Sequence, residues 1–243
     1  MIILRKPMPK IEIIVECGHN WNGNLDLAKE MIWVAKTCGA DVVKFQLYNT
    51  DYIKNPEDNH YWELKTSELS REDLTILFQE SYKANIEFLC SVFDALRVQW
   101  TEALGIQRYK IASRSIDNIE LIKAIEKTHK PIIASLGKWQ SREFPNIKGQ
   151  VDYLFCVSKY PALEEDMVNF PEKFDKYSGF SDHTLGINWA KEAIRRGAKI
   201  IEKHFTLSRK MPGCDQQNSI EPKELRELIN FAYRWNKLKQ FEL

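Results

Sequence analysis

Two histidines in the last third of the chain, His183 in GFSDHT and His204 in IIEKHF, stand 21 positions apart, each closing a short apolar run. The segment between them, INWAKEAIRRGAK, reads as one amphipathic helix. The same residue type at the same place in consecutive strand–helix units puts two imidazoles on neighbouring strand ends, about 4.8 Å apart in a sheet. Two neutral imidazoles so placed can share one divalent cation and leave positions open for water and substrate. Two lysines suggest a second chemistry. Lys44 interrupts an apolar strand pattern of Val42, Val43 and Phe45, and Lys110 precedes Ile111 and Ala112. With serines at five strand ends (Ser91, Ser113, Ser135, Ser158 and Ser181) they make a set of donors suited to phosphate or carboxylate. Each residue taken singly has a plainer reading, since strand-end histidines and serines are commonly satisfied polar groups and a lone lysine there is commonly solvated.

The elements that must position these groups recur along the whole chain. Short β-rich runs fall at 11–16, 41–46, 87–92, 109–112, 131–136, 153–158, 178–183 and 199–205. Helical patterns fill most of the gaps, at 25–39, 71–85, 94–105, 116–130 and 187–199, and a last one at 221–241 carries Pro222 near its first turn, where a missing N–H costs little. In the first helix Leu27, Met31, Val34 and Ala35 have the spacing of an inward face. Gly39, Gly105 and Gly197 stand where a left-handed cap would end a helix before the next strand. Eight strands alternating with helices in 243 residues predict a (β/α)8 barrel, one domain over residues 1–243. A doubly wound open sheet is the alternative, but no GxGxxG follows the first strand. The segment 47–70, with Tyr48, Tyr52, Tyr61 and Trp62, is too long for an ordinary loop and reads as a lid.

In such a barrel the chemistry sits where strands end and the following loops begin. Those positions hold Glu16, Lys44, Gln46, Ser91, Lys110, Ser113, Ser135, Ser158, Tyr160, Ser181, His183, Glu202 and His204. Composition narrows the partners. Lys and Arg number 35 against 34 Asp and Glu, a balance that excludes the strong basic excess of a duplex nucleic-acid binder. With 44% hydrophobic residues a large core is available, yet no apolar run approaches the ~18 residues of a membrane span. The start, MIILRKPMPK, lacks the apolar core and cleavage site of a signal peptide, and five cysteines without a CxxC pair read as reduced thiols, so a cytoplasmic location is expected.

Taken in order, VECGHNWNGNLDLAKEMIWVAKTCGADVVKFQ, YKIAS, CVSKYP, GFSDHT and GAKIIEKHFTLSRKMPGCD resemble the sialic acid synthase (N-acetylneuraminate synthase) family over residues 11 to 225. The resemblance implies a (β/α)8 barrel that condenses phosphoenolpyruvate with N-acetylmannosamine or a related amino-sugar aldose, using a divalent metal, Mn²⁺ or Mg²⁺. It implies that His183 and His204 ligate the metal and that Glu16 is the catalytic carboxylate. Lys44, Ser91, Lys110, Ser113, Ser135 and Ser181 take the phosphoenolpyruvate positions, Ser91 standing where the family often has threonine. Gln46, Tyr160, Glu202 and Asp215 take positions on the sugar side.

The chain departs from the family pattern at four places: Trp21 replaces a histidine, Arg114-Ser115 replace Gly-Glu, SLGKW stands for STGM, and PGCDQ keeps Asp215 but loses the histidine after it. Most members form dimers and continue into a small antifreeze-protein-like domain that lends an arginine to the sugar across the dimer. The expectation is therefore a homodimer of barrels, with a separate chain as an alternative source of that domain. Two other readings stay open: condensation of phosphoenolpyruvate with a different aldose, as in ulosonic and heptulosonic acid synthases, and a non-catalytic barrel that binds a sugar or a partner.

Overall fold

A computed structural model of the chain describes residues 10–241. The elements run β1 (Glu12–Gly18), α1 (Leu25–Cys38), β2 (Val42–Leu47), α2 (Thr50–Ile53), α3 (Tyr61–Thr66), α4 (Arg71–Lys83), β3 (Glu87–Val92), α5 (Ala95–Leu104), β4 (Tyr109–Ile111), α6 (Ile119–Glu126), β5 (Ile132–Ser135), β6 (Val151–Cys156), β7 (Gly179–Asp182), α7 (Asn188–Arg195), β8 (Ile200–His204) and α8 (Pro222–Phe241). The eight strands close in chain order, with β1 paired to both β2 and β8 and the ladders parallel. This is the (β/α)8 barrel expected from the alternation, and closure removes the open-sheet alternative. No α-helix separates β5 from β6 or β6 from β7, where the chain uses irregular loops and a 3₁₀ turn at Glu164–Met167.

Strands buried on both faces need apolar side chains in and out. Outward residues such as Val15, Val43 and Phe45 join the shell under the helices. Helix α1 starts at Asn24, whose side chain accepts from the backbone N–H groups of Asp26 and Leu27, and ends at Gly39 with φ 98°. Gly105 and Gly197, at φ 75° and 101°, are left-handed as their positions imply. The core face of α1 is Ala28, Met31, Ile32 and Ala35, while Leu27 and Val34 pack only at its flank. The predicted face is thus turned slightly. Burying residues such as Met31 and Ile32 contributes roughly 1.5–3 kcal/mol each.

Inside, the strands stack in layers. At the N-terminal end Arg108 pairs with Glu12 (2.7 Å) and Glu87 (2.6 Å). Above it lies an apolar layer of Ile14, Val42, Leu89, Ile133, Leu154 and Ile200. Two residues further along each strand, period two brings polar groups to the C-terminal mouth: Glu16, Lys44, Ser91, Ser135, Cys156 and Glu202. The register aligns Glu16 with both Lys44 and His204, Ser91 with Lys110, and Ser181 with Glu202. The sixth strand lies two residues earlier than expected, because Val157 leaves the ladder and gives its carbonyl to His183. His183 itself stands one residue beyond β7.

Candidate active site

The polar layer is a cluster of alternating charges. Lys44 Nζ contacts Glu16 Oε2 directly, lies 2.8 Å from Ser91 Oγ and 3.7 Å from Glu202 Oε2. Lys110 Nζ donates to Ser135 Oγ at 2.8 Å and stands 3.5 Å from Glu202 Oε1. Ser181 Oγ donates to Glu202 Oε1 at 2.8 Å, and Gln46 Nε2 donates to Glu16 Oε1 at 3.1 Å. All four charged groups are buried. Burial alone would raise the Glu202 carboxyl, but Lys110 and Lys44 outweigh it and hold it at about 2. Burial, helped by Lys110, brings the Lys44 ammonium down to about 8 against the pull of Glu202. Two ammonium groups with serine hydroxyls beside them can take an incoming anion with two charged ends in exchange for the carboxylates they now hold.

The histidines flank this cluster, their ring centroids 5.7 Å apart. His183 Nδ1 lies 2.7 Å from the Val157 carbonyl, which can only accept, so the proton sits on Nδ1 and Nε2 presents a lone pair. Tyr160 stacks on this ring at 4.1 Å and places its hydroxyl 3.0 Å from Nε2. Burial, reinforced by His204, lowers His183 to about 3 and keeps it neutral. His204 Nδ1 is buried without a hydrogen bond, although Asp215 Oδ2 lies 3.2 Å away. Burial opposes ionisation of Asp215, but His19 and His204 hold its carboxyl well below the usual range. A neutral imidazole anchored at Nδ1 on a carbonyl, with the Nε2 lone pair left over and a second imidazole at 5.7 Å, fits a pair of metal ligands. Among the described residues neither ring joins a cluster of three His, Cys, Asp or Glu ligand atoms within 4.8 Å of one another.

Two spaces meet at this mouth. An inner recess of about 40 Å³ is lined by the polar layer, Tyr160 and both histidines. That is room for little more than one water. An outer cavity of about 690 Å³ is bounded by Gln46, Arg114, Lys138, Tyr160, His204 and Asp215, among others. Its size is that of a small-molecule site. Between them Ser113 Oγ and Ser158 Oγ are 2.8 Å apart, and a Cβ on Gly137 would lie 2.6 Å from the Ser158 hydroxyl oxygen. Glycine keeps that pair reachable.

The family profile described as "NeuB family" matches residues 31–240. The chain belongs to the NeuB family. It is 35% identical over 248 residues to the N,N'-diacetyllegionaminic acid synthase of Legionella pneumophila, covering 89% of this chain and 70% of that one. It is 30% identical over 257 residues to the N-acetylneuraminate-9-phosphate synthase of Drosophila melanogaster, covering 93% and 68% respectively. The crystal structure of N-acetylneuraminic acid (sialic acid) synthetase from Leptospira borgpetersenii superposes with a TM-score of 0.86 at 33% identity, over 95% of this chain and 85% of the other. The chain is accordingly an enzyme of the NeuB type.

In this NeuB barrel the fourteen residues singled out from sequence meet at one mouth. Twelve of them line the inner recess, and Ser158 and Asp215 line the outer cavity together with Gln46, Ser113, Tyr160 and His204. Glu202 sits with the lysines, deeper than the sugar side to which the resemblance assigns it. The 47–70 segment reaches the cavity through Ile53, Lys54, His60 and Leu64, not through its large aromatics. Tyr48 and Tyr61 are buried, Tyr48 donating to the Leu64 carbonyl at 3.0 Å, while Tyr52 and Trp62 face solvent. Sequence reasoning passed over His19 and Cys214, which flank Asp215 at the cavity wall. The histidine beside the first strand end, in CGHN, was the available signal. The five cysteines are unpaired, and no described helix is long and apolar enough to cross a membrane.

Proposed function

We propose that this chain condenses phosphoenolpyruvate with an amino-sugar aldose of the N-acetylmannosamine type, giving a nonulosonic acid of the sialic or legionaminic kind and inorganic phosphate. The observation that carries the reading is the buried Lys44–Lys110 pair, closed by Glu16 and Glu202 and flanked by His183 and His204, in a chain of this family. The names of the relatives supply the substrate class. In this reading Lys44 and Lys110, with Ser91, Ser113, Ser135 and Ser181, hold the phosphate and carboxylate of the enol. The C3 carbon bonds to the aldehyde carbon, water adds at C2, and the C2–O bond to phosphate breaks. Glu16, released from Lys44 when the anion arrives, is placed to take the proton of that water. Gln46, Tyr160 and Asp215 face the acceptor, with Glu202 beneath them.

His183 and His204 would hold the divalent cation, Mn²⁺ or Mg²⁺, which supplies polarisation of the aldehyde oxygen. Tyr160, which lines both spaces, must turn off His183 Nε2 for that nitrogen to ligate.

Phosphate release, measured with phosphoenolpyruvate, Mn²⁺ and a panel of acceptors, tests the proposal. Amino-sugar aldoses and their phosphates should support release. Turnover only with plain aldose phosphates would favour the ulosonic-type condensation, and the absence of phosphate release with every acceptor would favour a binding role.

A further inference from the structure

The loops after β1 and β8 are neighbours because β8 closes the barrel against β1, with Glu16 opposite His204. This brings His19, in the turn after β1, to Cys214 and Asp215, in the loop after β8, across 195 residues of sequence. His19 Nε2 lies 3.2 Å from Cys214 Sγ and 3.6 Å from Asp215 Oδ2, and Cys214 Sγ is 4.0 Å from Asp215 Oδ1. One ligand atom from each of the three lies within 4.8 Å of the others. The ligand–ligand edges of a tetrahedral N/S/O zinc site are on the order of 3.3–3.6 Å, from bonds of about 2.0–2.3 Å. The His19–Cys214 and His19–Asp215 Oδ2 spacings already lie near those edges, and since the Cys214 contact is with the other carboxylate oxygen, Oδ1, rotation of Asp215 brings one oxygen to both partners.

A second observation points at the same spot. The His204 Nδ1 atom is buried, has no hydrogen bond and lies 3.2 Å from Asp215 Oδ2. All four residues line the outer cavity, so the cluster is open to ions from solvent. The backbone around it is held: Ser219 Oγ donates to the Asp215 carbonyl at 2.6 Å, and Cys214 N–H donates to Glu63.

We infer that His19, Cys214 and Asp215 form a cation site of their own, selective for a borderline-soft divalent ion of the Zn²⁺ kind, next to the His183–His204 pair. A thiolate among the ligands favours such an ion over Mg²⁺ or Mn²⁺, which prefer oxygen. The site pins the β8 loop to the β1 turn at the wall of the outer cavity. The neighbouring cluster of His60, Glu63 and Cys214 competes for the same sulfur, but His60 is exposed. The inference does not depend on the condensation reading.

Cobalt reports thiolate ligation directly. Chelator-treated full-length chain, titrated with Co²⁺, should develop a thiolate-to-cobalt charge-transfer band that saturates at one equivalent and is displaced by Zn²⁺. The band should vanish in Cys214→Ser and His19→Ala, and Zn²⁺ affinity should fall at least about tenfold, the loss expected even for partners of metal ligands. It should persist in His183→Ala, His60→Ala and Cys156→Ser, which separates its fate from that of the proposed catalytic ion. Absence of the band in the parent chain, its survival in Cys214→Ser, or its loss in Cys156→Ser would overturn the assignment. Should Cys214→Ser unfold, as circular dichroism would show, His19→Gln decides: a surviving band overturns the site and a lost one supports it.

Discussion

Lys44 answers to opposing demands. It must be charged to hold an anion, yet it is buried, and burial lowers its ammonium to about 8. Replacing Lys44 or Lys110 by alanine should weaken phosphoenolpyruvate binding by roughly 2–3 kcal/mol, the range for a desolvated charge-assisted contact. That is about 30- to 150-fold by calorimetric titration. Because the anion prefers the protonated amine, affinity should fall as pH rises through about 8, and Lys44→Ala should flatten the fall. Unchanged affinity in both variants would place the anion elsewhere. At the other flank, His183→Ala removes one proposed ligand while leaving the polar layer in place. Phosphate release should then lose its response to added Mn²⁺, with the circular dichroism of the parent retained. A variant that keeps both activity and metal response would rule out His183 as a ligand.

At the level of elements, strands were legible because β-branched runs interrupted by Gly and polar residues mark them, and period two then assigns each strand's last inward residue to the mouth. That is why Glu16, Lys44, Lys110, Ser135, Glu202 and His204 could be named in advance. The helices of the 47–70 segment were not legible. α2 and α3 are 4 and 6 residues long, too short to form without tertiary support such as the Tyr48–Leu64 hydrogen bond. The pairing of His19 with Cys214 was hidden for another reason: it exists only once β8 has closed on β1. The opposite end of the barrel makes its own prediction. Arg108 bridges Glu12 and Glu87, and burial raises the Glu12 carboxyl despite the guanidinium. Arg108→Ala would leave two partly buried carboxylates facing each other. A loss of about 1–3 kcal/mol is expected, less than for a fully buried pair because the guanidinium is partly solvated. Urea unfolding should show it with phosphoenolpyruvate affinity unchanged. A loss of affinity instead would mean the layers are coupled through the apolar stratum.

Across the whole molecule, closing eight strands puts Glu16, Lys44, Lys110 and Glu202 into one buried layer, where each meets an opposite charge from another strand. Such a layer resists acid poorly. The Glu202 carboxyl sits at about 2 in the fold against 4.5 ordinarily. Its ionisation therefore contributes stability that is fully present above about pH 4.5 and is lost as pH falls towards 2. At 1.36 kcal/mol per unit this is about 3 kcal/mol at most. Asp215 is depressed in the same sense. His183, neutral in the fold down to about 3, acts with the same sign from a higher pH: the unfolded chain takes up a proton below about 6.5 and the folded one does not. Urea midpoints should therefore decline from pH 7 to 5.5, and more steeply from 4.5 to 3.5. Glu202→Gln should begin less stable at pH 7, because Lys44 and Lys110 lose a counter-charge, and its curve should be flatter below pH 4.5. A parent curve that is level between pH 7 and 4, or a variant as steep as the parent below 4.5, would show that the paired charges at the barrel mouth do not set the acid limit of this fold.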